Sequence, residues 1–379
     1  MKKFRVGVVG IGFIGAVHIE QLRRLGNVDV VALVKTNDPQ GKADALSVPK
    51  GYSDYREMID RENLDCVHIC TANSTHFEIA DYALDKGLHV VCEKPLTVIA
   101  SDAEKLVKKA KEKGLVNAVN YNCRFYPQVY QMREMVRAGD LGDVYTIHGG
   151  YFQDWLYLDT DYNWRLEPQL SGVSRAFSDI GTHWLDLVQF VTGLQATEVF
   201  ADFQIFHKTR KKPTKPVDTF SGMALRPEDY EVVPIVTEDY ATVLFHFEGG
   251  ARACCNITQV YAGRKNQMVV SIAGSKCSMH WDSENSNSLW VGRRETHNGE
   301  YVKDPSVLKP GVGSVISYPG GHVEGFPDTF KHNFIKIYQA IESGKQIEGE
   351  YATFEDGLNE MIFCEKVVKS ATERRWVRI

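Results

Sequence analysis

The chain has 379 residues, which corresponds to roughly two to three domains of about 150 residues each. Hydrophobic residues make up 43% and charged residues 25%, and this composition excludes a disordered chain, because enough apolar surface is available to offset the entropy lost on ordering. With 44 basic and 49 acidic residues the formal net charge is −5, so no nucleic-acid partner is expected, since neutralising phosphates requires clustered Lys and Arg.

The first 123 residues alternate predicted strands and helices with short connections. Apolar runs predict strands at Phe4–Val9, Val28–Val34, Cys66–Thr71, His89–Cys92 and Val116–Asn122. Helical spacing predicts helices at Ala16–Leu25, Phe77–Lys86 and Ser101–Lys113, the last capped by Ser101. Repeated strand–helix units with near-continuous apolar strands are typical of a parallel sheet that helices cover on both faces. Residues 1–123 are therefore predicted to form an α/β domain.

From residue 124 onward, strands are grouped together and helices lie before and after them. Helices are predicted at Gln128–Ala138, Asp179–Gly193, Asp328–Gly344 and Phe354–Arg374. Alternating apolar residues predict strands at Val144–Tyr151, Ala241–Phe247, Ala251–Val260, Met268–Ala273 and Ser278–Trp281, which look antiparallel. This grouping predicts that residues 124–379 form an α+β domain.

The cysteines and the one dense basic run point to no special site. Eight cysteines without a C-x-x-C pair favour buried, reduced thiols in a cytoplasmic protein over a zinc or redox site. The basic run Lys208–Lys215 is interpreted as a solvated loop, with an anion-binding tail as the alternative. No run approaches the roughly 18 apolar residues of a membrane helix. A soluble, cytoplasmic protein without a membrane partner is expected.

A glycine-rich loop follows the first predicted strand and opens the first predicted helix. Its spacing is G-x-G-x-x-G, from Gly10 through Gly12, Phe13 and Ile14 to Gly15. Such a loop makes a tight turn, lets the backbone approach a pyrophosphate and packs the helix on the strand. The helix N-terminus adds N–H donors and a positive dipole end. The context favours dinucleotide binding over a purely structural turn.

The end of the second predicted strand bears on the choice of dinucleotide. An acid that binds the ribose is expected there, but the sequence has Lys35. Lys35 favours the 2′-phosphate of NADP, whereas Asn37 could bond a plain ribose while Lys35 points to solvent. A lone surface lysine contributes only about 1 kcal/mol, so NAD is predicted with a narrow preference over NADP.

Further motifs follow in chain order and add up to a family pattern. They are Cys70-Thr71-Ala72-Asn73-Ser74-Thr75-His76, Glu93-Lys94-Pro95, Asn122-Cys123-Arg124-Phe125-Tyr126-Pro127, Trp164-Arg165 and Asp179-Ile180-Gly181-Thr182-His183-Trp184-Leu185-Asp186. With the glycine loop they resemble the Gfo/Idh/MocA family, the glucose–fructose oxidoreductase and inositol dehydrogenase group. The resemblance covers essentially the whole chain. The departures are Ala72, where the family commonly has proline, and Lys35 in place of the strand-two acid.

The resemblance implies both a fold and an activity. The fold is an N-terminal Rossmann domain followed by an α+β domain with a large, mainly antiparallel open sheet, which often serves oligomerisation. The activity is NAD(P)-dependent hydride transfer to or from a secondary hydroxyl of a sugar, glycoside, anhydrosugar or cyclitol. A homodimer or homotetramer is expected, since one face of the alternating strands would otherwise stay exposed.

The same resemblance implies which residues bind and react. Cofactor contacts are expected from Gly10, Gly12, Phe13, Ile14, Gly15, Lys35, Asn37, Thr71, Asn73, His76, Glu93, Lys94, Asn122 and Arg165. Substrate contacts are expected from Lys94, Arg124, Tyr126, Trp155, Asn163, Trp164, Asp179, His183 and His322. His183 would be the proton acceptor, Asp179 its partner or a substrate ligand, and Lys94 a second polariser of the reacting oxygen.

The residue types in this predicted site suit the chemistry. On an α-helix, Asp179 and His183 would lie about 40° apart on one face, and a carboxylate beside an imidazole makes the histidine a competent base. A metal pair is the alternative, but no third ligand is evident. Aromatics beside polar groups, as at Trp155 and Trp164, suit sugar rings, although a core under a loop explains each tryptophan almost as well.

Two other function classes remain open at this point. One is a cofactor-binding sensor without catalysis, which would have no need for Lys94, Asp179 and His183. The other begins with hydride transfer and ends in glycoside cleavage or elimination. A net change in nicotinamide absorbance distinguishes a dehydrogenase from both.

Overall fold

The computed structural model describes residues 3–215 and 225–379, which fall into two compact units. The first unit comprises Met1–Phe125 and Phe326–Met361, and the second comprises Tyr126–Gly325 and Ile362–Ile379. The predicted division at residue 123 placed everything after it in one domain. Contacts instead group Phe326–Met361 with the first unit, because apolar side chains of that segment pack there.

The first unit is built on a six-stranded parallel sheet in the order β3-β2-β1-β4-β5-β6. Its strands are β1 (Phe4–Val9), β2 (Val28–Val34), β3 (Lys50–Tyr52), β4 (Cys66–Ile69), β5 (His89–Cys92) and β6 (Asn117–Val119). Its helices are α1 (Phe13–Arg23), α2 (Pro39–Ala45), α3 (Tyr55–Arg61), α4 (His76–Asp85) and α5 (Ala100–Lys113). The predicted parallel sheet is confirmed. Ser101 lies inside α5 and does not cap it, because the chain turns into the helix at Ile99.

The helix α9 (Phe326–Ser343) returns to this sheet and explains the assignment of its segment. Phe330, Phe334 and Tyr338 are buried along one side of it. The Tyr338 ring lies 5.6 Å from that of Phe4 on β1, and Phe334 packs edge-on against His68 of β4. These aromatic side chains cover β1 and β4 on the side of the sheet where α9 packs.

The second unit is built on a nine-stranded sheet in the order β16-β15-β14-β13-β7-β12-β11-β8-β17. Its strands are β7 (Val144–Phe152), β8 (Ala196–Gln204), β11 (Tyr240–Phe247), β12 (Arg252–Thr258), β13 (Gln267–Gly274), β14 (Ser278–Asp282), β15 (Ser288–Gly292), β16 (Gly299–Val302) and β17 (Val377–Arg378). Only β7 and β12 pair in parallel among these neighbours. The predicted large, mainly antiparallel sheet is confirmed.

Helices cover one face of this second sheet. They are α6 (Pro127–Arg137) and α8 (Thr182–Thr192), which contact its strands. The short α7 (Pro168–Ser171) lies between them in the chain, and the range of α10 (Phe354–Glu373) extends from the first unit into the second. Trp184 of α8 is fully buried, stacks 6.3 Å from Phe245 of β11 and donates its indole N–H to the carbonyl of Val269. Because side chains alternate along a strand, the opposite face of β11 carries Leu244, which stays exposed.

The expectation of a solvated loop at Lys208–Lys215 is wrong. Thr209–Pro213 forms a strand, β9, which pairs antiparallel with β10 (Tyr230–Pro234). Arg210 points inward and is buried, where it meets the carboxylate of Asp239, while Lys211 on the other face pairs with Asp159 at the surface. The buried acid is the reason that a charged run can form a strand here.

The eight cysteines are all free thiols, and six of them are buried. Within residues 3–215 and 225–379, the structure has no helix that is both long and apolar enough to cross a bilayer. In the same ranges, no three His, Cys, Asp or Glu side chains come together in a group that could hold a metal ion.

Candidate active site

The glycine loop lies between β1 and α1, as predicted. Gly10 has φ +90°, and a Cβ there would come within 2.7 Å of the carbonyl oxygen of Cys70. A Cβ on Gly15 would meet the carbonyl of Gly10. Both glycines are therefore required by close packing of the backbone itself.

Gly12 differs from the other two glycines of the loop. In the described part of the chain, nothing lies within 4 Å of the position that a Cβ on Gly12 would take. Gly12 is also the N-cap of the 11-residue helix α1, and the first N–H groups of a helix have no partner within the helix. An open cradle at a helix N-terminus fits the pyrophosphate of a dinucleotide.

Asp38, the first acid after β2, has a structural role as the N-cap of α2. Lys35 is half-buried and its N–H donates to the carbonyl of Tyr52, whereas Thr36 and Asn37 are exposed. Asp38 caps α2, with its carboxylate accepting from the N–H of Gly41 at 3.1 Å. The contacts of Lys35 and Asn37 with a ribose stay predictions.

His76 joins two of the loops at the ends of the strands. Its Nδ1 lies 2.8 Å from the carbonyl oxygen of Pro95 and its Nε2 lies 3.1 Å from that of Thr71. Thr71 also accepts a hydrogen bond from Thr75 at 2.7 Å. Burial lowers the pKa of His76, although the two carbonyls oppose this shift. The fully buried ring thus holds the loop of Thr71 and Asn73 against the loop of Lys94.

Glu93, which precedes Lys94, is held by a buried chain of polar side chains. Nε2 of His18 lies 3.0 Å from Glu93 Oε1, which also accepts from Asn120. Nδ1 of His18 lies 2.9 Å from Nδ1 of His68, and Nε2 of His68 lies 3.0 Å from the hydroxyl of Tyr338. With Glu93 ionised and both imidazoles neutral, the bonds run from Tyr338 through His68 and His18 to the carboxylate.

The electrostatics of this chain agree with that direction. Burial raises the pKa of Glu93, but the hydrogen bonds and charges of His18, Asn120 and Lys94 together outweigh it, and the net pKa is lowered. Burial and the neighbouring His18 lower the pKa of His68 well below its usual value. Burial raises the pKa of Tyr338, so its hydroxyl keeps its proton. Glu93 is therefore a fixed carboxylate, and its Oε2 accepts from the backbone N–H of Lys94 at 3.3 Å.

Asn122 and Arg124, both predicted to bind ligands, form hydrogen bonds with the segment Phe326–Met361. Asn122 donates to the hydroxyl of Thr329 on α9 at 2.7 Å. Arg124 is buried and donates to Asp356 of α10 at 3.1 Å. Burial raises the pKa of Asp356, and Arg124 with Thr353 lowers it further than burial raises it. The structure gives both side chains a role in packing, and their roles toward ligands stay predictions.

In the second unit, Asp179 and His183 lie where a π-helical turn meets α8. The turn spans Phe177–Gly181, and α8 begins at Thr182. The predicted single α-helix at Asp179–Gly193 is therefore wrong in its first turn, and α-helical spacing does not relate the two residues. Single π turns inside helices are frequent at functional sites. Both side chains are buried, and the His183 ring lies 6.2 Å from that of Tyr151.

Asp179 collects several of the predicted residues around it. Its Oδ1 accepts from Nε of Arg165 at 3.1 Å. The guanidinium of Arg165 lies 4.5 Å from the centre of the Trp164 ring and 5.4 Å from that of Trp155. Asn163 fixes the turn by accepting from the N–H of Arg165. The structure thus brings five predicted residues together, and Arg165, which was expected at the cofactor, is tied to Asp179.

Trp155 has core residues on one side of its ring. Trp155 packs on a buried cluster of Leu156, Leu166 and Ile235 and donates its indole N–H to Gln153. This packing supports the alternative that Trp155 covers a core under a loop. Tyr126 also packs on an aromatic, with its ring 5.1 Å from that of Trp281.

His322 lies in an exposed loop that is nevertheless well anchored. The buried ammonium of Lys303 donates to the carbonyl of His322 at 2.6 Å, to that of Tyr318 at 3.0 Å and to Glu324 at 2.8 Å. Glu324 in turn accepts from the N–H of Ser317. The part of His322 in substrate binding stays a prediction.

Sequence reasoning missed two polar residues near the predicted site. Gln259 follows β12 and donates to Asp179 Oδ2 at 3.0 Å. Gln153 follows β7, accepts from Trp155 and donates to Asn266 at 2.7 Å. Each follows an apolar strand, as Lys94 follows β5. Polar residues at strand ends were the signal that could have found them.

Comparisons with known proteins agree with this architecture. A model of an oxidoreductase family with an NAD-binding Rossmann fold matches residues 4–121, and a GFO/IDH/MocA C-terminal domain model matches residues 129–280. Levoglucosan dehydrogenase from Pseudarthrobacter phenanthrenivorans is 25% identical over 404 aligned positions, which cover 100% of this chain and 99% of that one.

Two crystal structures extend the comparison to three dimensions. An oxidoreductase domain protein from Kribbella flavida is 30% identical, with a TM-score of 0.90 and 100% of both chains covered. An inositol dehydrogenase homologue from Azotobacter vinelandii, complexed with NAD⁺, is 26% identical, with a TM-score of 0.86 over 100% of this chain and 98% of that one. The chain belongs to the Gfo/Idh/MocA family of NAD-binding oxidoreductases, as its motifs predicted.

Proposed function

We propose that the protein is an NAD-dependent dehydrogenase that acts on a secondary hydroxyl of a sugar, anhydrosugar, glycoside or cyclitol. The observation that carries this proposal is the group around Asp179, whose carboxylate accepts from the Arg165 guanidinium, which in turn lies over the ring of Trp164. Flat apolar rings beside hydrogen-bonding groups suit the C–H faces and hydroxyl edges of a polyol. The relatives named for levoglucosan and inositol support the same substrate class.

The residues of each unit take distinct roles in this proposal. The cradle at Gly12 and the N-terminus of α1 would hold the pyrophosphate of the dinucleotide. When bound, the nicotinamide supplies the acceptor for the hydride. His183 takes the hydroxyl proton, Asp179 stabilises the charge that develops there, and Lys94 polarises the reacting oxygen.

A substrate screen tests the proposal. Hexoses, anhydrosugars, glycosides and inositols are each incubated with NAD and with NADP, and nicotinamide absorbance is followed together with product formation. At least one polyol is expected to give stoichiometric reduction of the cofactor. Substrate conversion without net reduction would instead indicate glycoside cleavage or elimination, and cofactor binding without any conversion would indicate a sensor.

NAD is expected to be the working cofactor, with measurable tolerance of NADP. The next arginine along the chain, Arg56, lies over the rings of Tyr55 and Tyr82 at 4.4 and 5.5 Å. Lys35 is then the cation proposed for a 2′-phosphate, and one such surface charge contributes about 1 kcal/mol or less, roughly fivefold in affinity. Comparing kcat/KM for the two cofactors, in the wild type and in Lys35→Ala, measures this. A preference for NADP beyond about tenfold would contradict the prediction.

A homodimer or homotetramer is expected in solution. The uncovered face of the large sheet exposes apolar side chains on two strands and beside a third, namely Leu244, Trp290 and Trp376. Apolar patches of this kind are typical of association surfaces. Light scattering after gel filtration is expected to show an oligomer for the wild type and a smaller species for Leu244→Glu. The control Val323→Glu places the same charge on a loop valine that is 81% exposed, and it should leave the mass unchanged. A wild-type monomer at micromolar concentration would contradict the proposal.

A further inference from the structure

The carboxylate of Asp179 is held from two sides, one oxygen to each donor. Oδ1 accepts from Arg165, which lies on the side of the tryptophans. Oδ2 accepts from Nε2 of Gln259 at 3.0 Å, and Gln259 is fully buried. The position of Oδ2 therefore depends on which way the Gln259 amide is turned.

The orientation of that amide is fixed by a neighbour that can only donate. Nη1 of Arg175 lies 3.1 Å from Gln259 Oε1. A guanidinium has no acceptor, so the amide must present its oxygen to Arg175 and its NH₂ group to Asp179. Gln259 thus meets Asp179 only as a hydrogen-bond donor, which favours an ionised carboxylate there.

Arg175 is itself locked in place below the site. Its guanidinium pairs with Asp239, which also accepts from Arg210 at 2.9 Å, and all three side chains are buried. Nε of Arg175 donates to the hydroxyl of Thr237 at 3.2 Å. A buried ion cluster with these contacts leaves Arg175 a single orientation, so it sets the orientation of Gln259.

We infer that Gln259, oriented by Arg175, is a positioning residue that holds Asp179 as a fixed carboxylate for the reaction. The inference rests on the proposed function, because it gives Asp179 a part in that chemistry. It concerns the direction of one hydrogen bond, so an isosteric change that reverses only that direction tests it.

Gln259→Glu is that change. The new carboxylate still accepts from Arg175, but it turns an acceptor toward Asp179, and two carboxylates about 3 Å apart cannot both stay ionised. We expect kcat for the polyol to fall about tenfold to 100-fold, as a displaced reacting group does, while KM for NAD is unchanged. Gln259→Leu should lose activity similarly. Gln128→Leu is the matched control, since Gln128 is equally buried but donates to the carbonyls of Asn287 and Tyr301. Its kcat should match the wild type.

A double-mutant cycle in melting temperature tests the same hydrogen bond without an activity assay. In the double variant Asp179→Asn with Gln259→Glu, the new amide donates to the new carboxylate, so the bond is restored in the opposite direction. The drop in melting temperature of the double variant is expected to be smaller than the sum of the drops in the two single variants.

Three results would overturn the inference: wild-type kcat in Gln259→Glu, additive changes in melting temperature, or a loss of kcat in Gln128→Leu as large as in Gln259→Leu. If Gln259→Glu alone does not fold, recovery of folded protein in the double variant supports the inference and failure to recover overturns it. If the wild type oxidises no polyol, the proposed function fails, and the melting temperatures alone decide whether Gln259 holds Asp179.

Discussion

Replacing Lys94 or His183 by alanine is expected to lower kcat by roughly 100-fold or more while NAD binding survives. The reason is that His183 is proposed to accept the hydroxyl proton and Lys94 to polarise the reacting oxygen in the transition state. A positioned acid or base contributes about 10²–10⁴-fold to the rate. The glycine cradle proposed to bind the pyrophosphate lies on other residues, so the affinity for NAD should be retained. Steady-state kinetics and a fluorescence titration with NADH measure the two effects separately.

Two further comparisons sharpen this result. Lys94→Arg keeps the positive charge, so it should recover part of the activity lost in Lys94→Ala if Lys94 polarises the reacting oxygen, and no recovery would indicate that Lys94 transfers a proton instead. Lys86→Ala and His297→Ala change an exposed lysine and an exposed histidine, and both should turn over normally. Near-normal kcat in Lys94→Ala or His183→Ala would remove that residue from the mechanism.

Asp239→Asn is expected to cause the largest loss of stability in the second unit. Asp239 is fully buried and is the acid that meets both Arg175 and Arg210, and its Oδ2 also accepts from the backbone N–H of Phe206 at 2.8 Å. Burial raises the pKa of Asp239, but Arg175 and other donors lower it overall, so the carboxylate is ionised. Neutralising it leaves two buried guanidinium groups without their counter-charge. Such a change costs about 3–5 kcal/mol, which corresponds to a drop in Tm on the order of 10 °C.

The neighbouring residue on β9 offers a matched control. Lys211 pairs with Asp159 at 2.9 Å, the same distance as Arg210 and Asp239, but both partners are about half exposed. Exposed ion pairs contribute about 0–1 kcal/mol, so Asp159→Asn should shift Tm by a few degrees at most. Equal shifts in the two variants would show that the buried cluster does not stabilise the unit as argued.

Local sequence determined much of the first unit and the outline of the second. The apolar runs predicted β1, β2 and β5 with the bounds that the structure shows, because continuous β-branched stretches need no distant partner to identify them. Gly15 is dictated by a steric contact with Gly10 within the strand–loop–helix unit itself, whereas Gly10 also has to make room for the carbonyl of Cys70 after β4. The motifs around Lys94 and Asp179 were enough to identify the family, which the comparisons confirm.

What the tertiary structure decided concerns polar groups whose partners are far away along the chain. Arg210 lies in a strand rather than a solvated loop because Asp239, 29 positions later, neutralises it inside the unit. Asp179 owes its orientation to Gln259, which is 80 positions away, and the π turn that carries it has no signature in residue spacing. Phe326–Met361 joins the first unit because Tyr338 meets His68 across 270 positions. Periodicity reports which face of an element is apolar, whereas a buried polar side chain takes its partner from whichever segment the fold brings within hydrogen-bond distance.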